Sequence, residues 1–189
     1  TRCIMDTTDP EITFDAEGVC NHCKHYERRV REEFMAEGDA KNYVDRLAHE
    51  IRESGRGKPY DCIVGVSGGV DSTYVAWLAK TQLNLRPLAV HFNNGWNSEL
   101  AEQNIELIVR KLGIDLHTHV VDWEEFRDLQ LAFFKASVSN VEIPTDHAIR
   151  ALLFRTAAQF GVQYILSGSN AATEAIMPVS WLHDNSDLR

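Results

Sequence analysis

Short apolar runs alternate with longer amphipathic stretches over most of this chain. Apolar residues dominate the runs at 60–66 and 86–92, which is typical of strands that are buried on both faces. Two shorter runs, at 114–121 and 163–166, also have the length of strands. Helical spacing of apolar residues predicts helices over 72–83, 98–112, 123–138 and 145–160. Strands that alternate with helices in this way predict βαβ units, so the expected fold class is α/β with a parallel, Rossmann-like sheet.

The remaining pattern predicts three zones. Residues 1–26 are rich in turn formers and cysteine, residues 27–58 read as a helical linker region, and residues 59–189 form the α/β domain. The chain begins without Met and ends abruptly, so we expect an internal fragment whose carboxyl-terminal part is missing. No run approaches the roughly 18 apolar residues of a membrane span, and no secretory signal is visible, so we expect a cytoplasmic protein without a membrane partner.

Charge argues against one class of partner. The chain has 19 Lys and Arg residues against 28 Asp and Glu residues, which gives a formal net charge of −9. Proteins that bind nucleic acid nonspecifically need clustered cations to displace counterions from the phosphates. The main basic cluster, at 28–31, runs directly into acidic residues, so we interpret it as a solvated helix face and expect no nucleic-acid partner.

The segment Ser67-Gly68-Gly69-Val70-Asp71-Ser72 follows the first expected strand and opens the first helix of the α/β region. Glycines without Cβ atoms let the backbone turn tightly and bring N–H groups against an anion. The amino end of the following helix favours negative charge, and the two serines add hydroxyl donors. An aspartate beside phosphates is explained if Mg²⁺ lies between them. The pattern therefore predicts a phosphate site with Mg²⁺.

Three other interpretations of this segment are open. A Walker A loop would need a lysine before the final serine, and none is present. Residues 65–69 also fit the G-x-S-x-G nucleophile elbow, for which Asp146 and His183 could complete a serine hydrolase triad, but that interpretation leaves Asp71 and Ser72 unexplained. The third is a tight turn without a ligand.

Further candidate residues follow other strands. Gly168, Ser169 and Asn170 come after the last strand, where a nucleotide site needs a loop near the ribose and α-phosphate, although a helix cap would use the same residues. Asp146 lies near the start of a helix, where Thr145 or Asp146 could be the N-cap. Asp146 could also face the site and hold Mg²⁺ or substrate.

The cysteines predict a metal site. Cys20 and Cys23 form a C-x2-C knuckle, and Cys3 lies upstream. These three thiols suit structural Zn²⁺, with a redox pair or an iron–sulfur site as the alternatives. Cys62, inside the first strand, is interpreted as a buried small hydrophobe.

A tetrahedral zinc site needs a fourth ligand besides the three cysteines. His22 or His25 could supply it. The expected ligand is instead a cysteine just before Thr1, because a cysteine there would form a second C-x2-C pair with Cys3 and complete a site of four thiolates.

The Ser-Gly-Gly-Val-Asp-Ser segment after a buried strand resembles the PP-loop of the ATP pyrophosphatase superfamily. That resemblance implies binding of ATP and release of pyrophosphate held by Ser67, Gly68, Gly69, Asp71 and Ser72. It also implies that Phe92 and Asn93 contact the adenine. Asp71, Ser72 and Asp146 are the expected catalytic residues.

A more specific resemblance covers essentially the whole chain. The sequence is similar to bacterial N-acetyl sugar amidotransferases in the following segments: 2–10, 12–15, 18–23, 177–178, 180–181 and 187–189. This similarity implies conversion of an acetamido group on a sugar, which is expected to be nucleotide-activated, into an acetamidino group for O antigen or surface glycans. The amide oxygen would be adenylated, and ammonia would displace AMP.

No glutaminase Cys–His arrangement is visible, so ammonia should come from a separate glutaminase. The resemblance implies a glutaminase subunit with a cyclase-like channel subunit as partners. Two rival functions remain at this stage: a PP-loop tRNA-thiolating enzyme and a non-catalytic nucleotide-binding module.

Overall fold

The computed structural model describes residues 2–33, 37–138 and 140–169. By their contacts these residues form two compact units. The described part of the first comprises residues 2–33 and 37–43, and the second is Val44–Ser169. Residues 44–54, which the sequence groups with a helical linker, therefore belong to the second unit. The residues outside the described part include Asn170, expected in the nucleotide site, His183, the candidate histidine of a serine hydrolase triad, and Thr1, beside which the fourth zinc ligand is expected.

Four strands form one parallel sheet in the second unit. They are β1 (Cys62–Gly65), β2 (Pro87–Asn93), β3 (Asp115–Val120) and β4 (Ile165–Leu166). The helices are α1 (Asn21–Glu33), α2 (Glu37–Ser54), α3 (Val70–Trp77), α4 (Glu99–Leu112), α5 (Trp123–Lys135) and α6 (Ile143–Phe160). A π-helical turn, Leu78–Gln82, continues α3. The α/β fold with a parallel Rossmann-like sheet is thus confirmed.

Alternate residues of the strands supply two cores, one on each face of the sheet. Cys62 and Val64 of β1 pack with Ile51 of α2, Ala76 of α3 and Ile105 of α4. The intervening strand positions face the opposite core. There, Ile63, Leu88 and Val90 pack with Leu152 and Ala157 of α6. Successive side chains of a strand point to opposite faces, so a nearly continuous apolar run is needed when helices cover both.

The strand order is β3-β2-β1-β4, and it indicates where a ligand site would lie on the sheet. The chain moves outward from β1 through β2 to β3 and then returns to the other side of β1. In such sheets ligands bind beyond the carboxyl ends of the strands where the direction of winding reverses. The loops that follow β1 and β4, beginning at Ser67 and Ser167, therefore flank one crevice.

Capping residues explain most helix ends. Ser98 caps α4 by accepting a hydrogen bond from the N–H of Ala101, and Gly113 ends that helix with φ +59°. Asp122 caps α5 by accepting from the N–H groups of Glu124 and Glu125. Backbone conformations with positive φ favour glycine, which explains why the sequence pattern locates the end of α4 correctly.

The expected start of α6 is wrong. The helix begins at Ile143 with Glu142 in the N-cap position and Pro144 in the first turn, so neither Thr145 nor Asp146 is the cap. Proline has a fixed φ that suits the first helical turn, and it carries no N–H that would need a partner there. The first turn of α6 can therefore form before Thr145.

The first unit is held together by short polar turns. Asp15 Oδ1 accepts from the N–H groups of Glu17 and Val19, and Phe14 forms an isolated antiparallel bridge with Cys20. Asn21, the first residue of α1, accepts from the N–H of Thr13 through its side chain. The helix thus begins inside the cysteine segment rather than at residue 27 as the composition suggested.

Among the described residues no helix has both the length and the apolar character needed to cross a bilayer.

An ion pair between a buried aspartate and a half-exposed arginine lies at the amino-terminal edge of the sheet. Asp61 is 3% exposed, and its carboxylate accepts from the N–H and guanidinium groups of Arg86. The same guanidinium donates to the carbonyl oxygens of Gly55 at 2.9 Å and Lys58 at 2.7 Å. Arg86 therefore ties the start of β2 to the turn that precedes β1.

Replacing this arginine tests that role. Arg86→Met removes the guanidinium and leaves the buried Asp61 carboxylate with only a backbone donor from this position, so we expect a loss of about 1–3 kcal/mol in unfolding free energy. Arg56→Met is the matched control because Arg56 pairs with Glu53 on an exposed helix end. It should cost less than about 0.5 kcal/mol in urea denaturation. Equal losses in the two variants would contradict the assigned role.

Candidate functional site

The loop of residues 67–72 is built around two serine hydroxyls. Oγ of Ser67 and Oγ of Ser72 lie 3.2 Å apart, and the Ser72 hydroxyl also accepts from the N–H of Ser67 at 3.2 Å. Ser72 donates to the carbonyl of Gly69, whose own N–H donates to Ser67 Oγ at 3.4 Å. The loop thus closes on itself through hydroxyls that can turn towards a ligand.

The amino end of α3 has no side-chain cap. Gly69 is the N-cap residue, and the following N–H groups of Val70, Asp71 and Ser72 precede the first internal helix bond, which Thr73 donates to Gly69. Uncapped N–H groups at a helix start attract anions. Asp71 is exposed beside them, where a carboxylate could share Mg²⁺ with phosphate oxygens. These donors and this carboxylate fit a Mg²⁺-bound phosphate group.

Helix α4 supports the loop from behind. Gly68 has φ +77°, and a Cβ at this position would lie 2.4 Å from the carbonyl oxygen of Ala101. Asn104, one turn further along α4, donates from Nδ2 to the carbonyl of Gly68 at 3.1 Å. The loop can therefore lie this close to the helix only because residue 68 has no side chain.

The loop after β4 packs against the start of α3. A Cβ on Gly168 would lie 3.0 Å from the backbone nitrogen of Ser72 and 3.1 Å from the carbonyl carbon of Asp71. Ser167 and Ser169 hydrogen bond to each other through their hydroxyls at 2.8 Å, and both are exposed. Gly168 therefore lies against the first turn of α3, next to the phosphate loop, and its predicted role with Ser169 near the ribose and α-phosphate stays a prediction.

A cleft of about 360 Å³ opens between these two loops. Its floor and walls come from the ends of β1, β2 and β4 and from α6, with the following lining residues: Gly65, Val66, Ser67, Val90, His91, Phe92, Asn94, Asn97, Ile149, Leu152, Leu153, Ile165, Leu166, Ser167 and Gly168. An apolar cleft with a polar end suits a base and its phosphates.

The two residues expected to contact the adenine, Phe92 and Asn93, line different clefts in the structure. Phe92 lines the cleft, and its ring stacks on His119 with centroids 6.0 Å apart. Asn93 instead lines a neighbouring groove beside α4, while its side chain accepts from the N–H of Gly95. Asp146 is exposed in the first turn of α6, and the residues that line the cleft do not include it.

His91 is a site residue that the sequence reasoning missed. It is 6% exposed, and Nδ1 lies 2.9 Å from the carbonyl oxygen of Val66, which can only accept. The proton is therefore on Nδ1, and Nε2 accepts from the side-chain amide of Asn97 at 2.9 Å. This imidazole joins the residue before the phosphate loop to the loop after β2. A histidine inside an apolar strand was the available signal.

The serine-elbow interpretation finds no support at Ser67. Among the described residues, its hydroxyl is bonded to Ser72 and Gly69, and no imidazole is among its partners. His183, the other member of that hypothetical triad, lies outside the described residues.

The three amino-terminal cysteines converge in the first unit. The sulfur atoms of Cys3, Cys20 and Cys23 all lie within 4.8 Å of one another, and Sγ of Cys3 is 3.5 Å from Sγ of Cys20. Three converging sulfur donors fit a thiophilic metal such as Zn²⁺.

The fourth position of such a metal site is not supplied by the two candidate histidines. His22 is bonded to Asp9 at 2.5 Å and His25 to Arg28 at 3.0 Å, and neither joins the sulfur cluster. Thr1 lies outside the described residues, so the expectation of a cysteine just before Thr1 stays a prediction.

The cysteines lie in two different environments. Burial raises the pKa of the Cys62 thiol to about 12, and the side chain is fully enclosed within β1. Burial, together with the neighbouring thiols of Cys3 and Cys20, also raises the pKa of Cys23 to about 12. Cys62 is therefore a core residue, as expected, whereas the Cys23 thiol lies in a cluster with those of Cys3 and Cys20.

Two glycine variants test the packing of the loop. Gly68→Ala places a Cβ in a left-handed backbone conformation and against Ala101, so we expect a loss of about 2–4 kcal/mol in unfolding free energy. Gly69→Ala is the control because Gly69 has φ −79° and a Cβ there would meet only the Ser67 hydroxyl at 3.3 Å. Thermal melting should show a much smaller shift for Gly69→Ala. The reverse order would exclude the described packing.

Comparison with known proteins extends beyond the loop. The family model of NAD synthase matches residues 40–177. The tRNA-specific 2-thiouridylase MnmA of Escherichia coli K12 is 33% identical over 122 residues, which cover 56% of this chain and 32% of that protein. The chain thus spans about a third of the length of the curated relatives it matches.

Solved structures show the same fold. The NH3-dependent NAD synthetase of Campylobacter jejuni superposes with a TM-score of 0.50 at 18% identity, covering 70% of this chain and 57% of that one. The NMN synthetase of Francisella tularensis gives a TM-score of 0.50 at 20% identity, covering 69% and 55%. With the family match over most of its length, this chain belongs to the NAD synthase family of PP-loop ATP pyrophosphatases.

Proposed function

We propose that the protein cleaves ATP between the α- and β-phosphates and transfers the adenylyl group to an amide oxygen of its acceptor. The observation that carries this proposal is the cradle at the carboxyl end of β1. The first N–H groups of α3 receive no side-chain cap among the described residues, the hydroxyls of Ser67 and Ser72 lie 3.2 Å apart in the loop before that helix, and Asp71 is exposed in its first turn. Pyrophosphate, as a highly charged leaving group, would be stabilised there.

Each residue has a distinct part in this proposal. The backbone of Gly68 and Gly69 and the two serine hydroxyls bind the departing pyrophosphate. Asp71 holds Mg²⁺ against the phosphate oxygens, and the bound Mg²⁺ would neutralise charge on them. Gly168, which lines the cleft, and Ser169 are proposed to contact the ribose and α-phosphate. Asp146 remains a proposed ligand of Mg²⁺ or substrate.

We propose an N-acetyl sugar, carried on a nucleotide, as the acceptor. The support is the sequence similarity of the terminal segments to sugar amidotransferases. The chemistry also suits an amide, because its carbonyl oxygen leaves readily only after adenylation. Ammonia would then attack the activated carbon and displace AMP, giving an acetamidino sugar.

Ammonia would come from a separate glutaminase, delivered through a cyclase-like channel subunit. In the unit Val44–Ser169 the only cysteine in the sequence is Cys62, and its side chain is enclosed within β1. A glutaminase nucleophile must be reachable by glutamine, so this unit offers no such thiol.

A tRNA-thiolating enzyme is the second candidate. The curated relatives support it more directly than any comparison supports a sugar acceptor, since those relatives are tRNA-specific 2-thiouridylases. Two features oppose it: the net charge of −9 and the burial of Cys62, which leaves no accessible thiol in the α/β unit for sulfur transfer.

We also propose that Cys3, Cys20 and Cys23 hold a structural Zn²⁺ in the first unit. The convergence of their sulfur atoms supports this assignment. The fourth ligand is proposed to be a cysteine just before Thr1, because the two candidate histidines are bonded elsewhere.

Product analysis tests the reaction. The full-length protein with ATP, Mg²⁺, ammonium and an N-acetyl sugar nucleotide should form AMP and pyrophosphate. Asp71→Ala should lower AMP formation by at least about 100-fold, because the Mg²⁺ ligand is lost. The exposed Asp45→Ala on α2 should retain full activity.

The same assay separates the candidates. ADP in place of AMP would exclude the proposed cleavage. AMP formed only with tRNA and a sulfur donor would favour the thiolating candidate. ATP binding without AMP under every acceptor would leave a nucleotide-binding module.

Elemental analysis tests the metal site. The protein purified under reducing conditions should contain about one zinc per chain, and Cys20→Ala should lose it, because an incomplete set of thiolates binds Zn²⁺ far more weakly than a complete one. Cys62→Ala, which removes a thiol outside the cluster, should keep the metal. Absence of zinc from the wild type, or retention in Cys20→Ala, would contradict the assignment.

A further inference from the structure

Trp96, in the loop after β2, is firmly held although its side chain is 64% exposed. Its indole Nε1 donates to the side-chain oxygen of Gln130 at 2.6 Å. Gln130 lies on α5 and is only 7% exposed. The ring also packs edge to face on Trp123, with centroids 5.6 Å apart. A buried amide of the scaffold therefore orients an indole that water can reach.

The backbone of the loop is equally constrained. The side chain of Asn93 accepts from the N–H of Gly95 at 3.0 Å, and that of Asn94 accepts from the N–H of Trp96 at 3.1 Å. Gly95 has φ +81°, and a Cβ there would lie 2.8 Å from the Trp123 ring. The position of Trp96 is therefore set by contacts on both its backbone and its side chain.

This loop is also a wall of the nucleotide cleft. Asn94 and Asn97, which flank Trp96 in the sequence, both line the cleft, and Asn97 is bonded to His91 at its base. An acceptor bound on this side of the cleft would lie close to this loop. The exposed indole is thus on the same loop as groups that face the nucleotide.

Packing alone does not explain the choice of residue. Single exposed apolar side chains are common in proteins and need no ligand. Trp96 differs because both its polar edge and one ring edge have dedicated partners, Gln130 and Trp123. Such anchoring fixes the ring while its remaining surface stays open, which is how aromatic side chains bind flat rings with little loss of conformational freedom.

We propose that Trp96 is a stacking platform for a ring of the acceptor. The ligand class is a nucleotide-activated amino sugar, and the face that stacks is that of its sugar or its base. This inference rests on the proposed function and names a residue that recognises its substrate. A stacked ring would orient the acetamido group towards ATP without contributing to the phosphate chemistry.

Kinetics of full-length variants test this proposal. With UDP-N-acetylglucosamine, ATP, Mg²⁺ and ammonium, Trp96→Ala should raise the KM for the sugar nucleotide about 5- to 100-fold, the range expected for loss of one stacked ring. The KM for ATP and kcat should stay within about twofold. Trp96→Phe should fall between wild type and Trp96→Ala because it keeps a ring. Trp77→Ala is the matched control. Trp77 is a 38% exposed tryptophan at the carboxyl end of α3, where its ring contacts that of Tyr74.

Binding without turnover separates this proposal from the proposed reaction. Quenching of tryptophan fluorescence is measured with UDP-N-acetylglucosamine, with UDP and with N-acetylglucosamine 1-phosphate. Loss of quenching in Trp96→Phe supports the platform, even if wild type forms no AMP and the proposed reaction fails. If UDP quenches wild type and N-acetylglucosamine 1-phosphate does not, the stacked ring is the base. The opposite result identifies the sugar as the stacked ring.

Three results would overturn the platform. The first is equal affinity for the sugar nucleotide in wild type and Trp96→Ala. The second is an equal rise in KM for ATP and for the acceptor, accompanied by a lowered melting temperature, which would make Trp96 a structural residue. The third is quenching by an RNA stem-loop and by none of the three small ligands.

Discussion

Contact of backbone against backbone at the carboxyl end of β1 is the constraint on which the nucleotide site depends. The phosphate loop lies against α4 at Gly68, and the loop after β4 lies against the start of α3 at Gly168. A methyl group at either position would meet main-chain atoms, which cannot rotate away as a side chain can. The two glycines therefore permit three segments to meet at the amino end of α3, whose first N–H groups have no side-chain cap among the described residues.

Polar side chains behind the loop make this arrangement stiff. His91 bonds to the carbonyl just before the loop, and Asn104 bonds to the carbonyl of Gly68. Both side chains thus hold main-chain carbonyl oxygens of the segment that enters α3. Donors that are already fixed need little reorganisation when charge develops on a leaving group, which is the main electrostatic contribution available to such a site.

Position in the fold gives the cysteines different surroundings although the residue type is the same. Cys62 is enclosed between helices on β1, where its thiol stays protonated and packs as a hydrophobe. Cys3, Cys20 and Cys23 are brought together by the turns that precede α1. The unit Val44–Ser169 consequently has no accessible thiol, since Cys62 is its one cysteine, and its proposed chemistry therefore takes the nucleophile from elsewhere.

The sequence by itself determined the fold class, the order of the strands along the chain and the location of the phosphate loop. These follow from local rules: apolar runs and amphipathic stretches have different periods, and glycines mark helix ends and anion-binding turns. The C-x2-C spacing likewise indicated a shared site for Cys20 and Cys23, because two residues separate them on one turn.

Only the tertiary structure decided which distant residues meet. The strand order places Gly168 beside Ser72 across about a hundred positions, and no local pattern encodes that contact. Three hydrogen bonds are likewise not encoded by any local pattern: His91 to Val66, Asn97 to His91, and Trp96 to Gln130. In the sequence, Asn97 and Gln130 read as ordinary polar residues. Asn93 and Asn94 are neighbours in the chain, yet side chains alternate along an extended segment, so only the second faces the cleft.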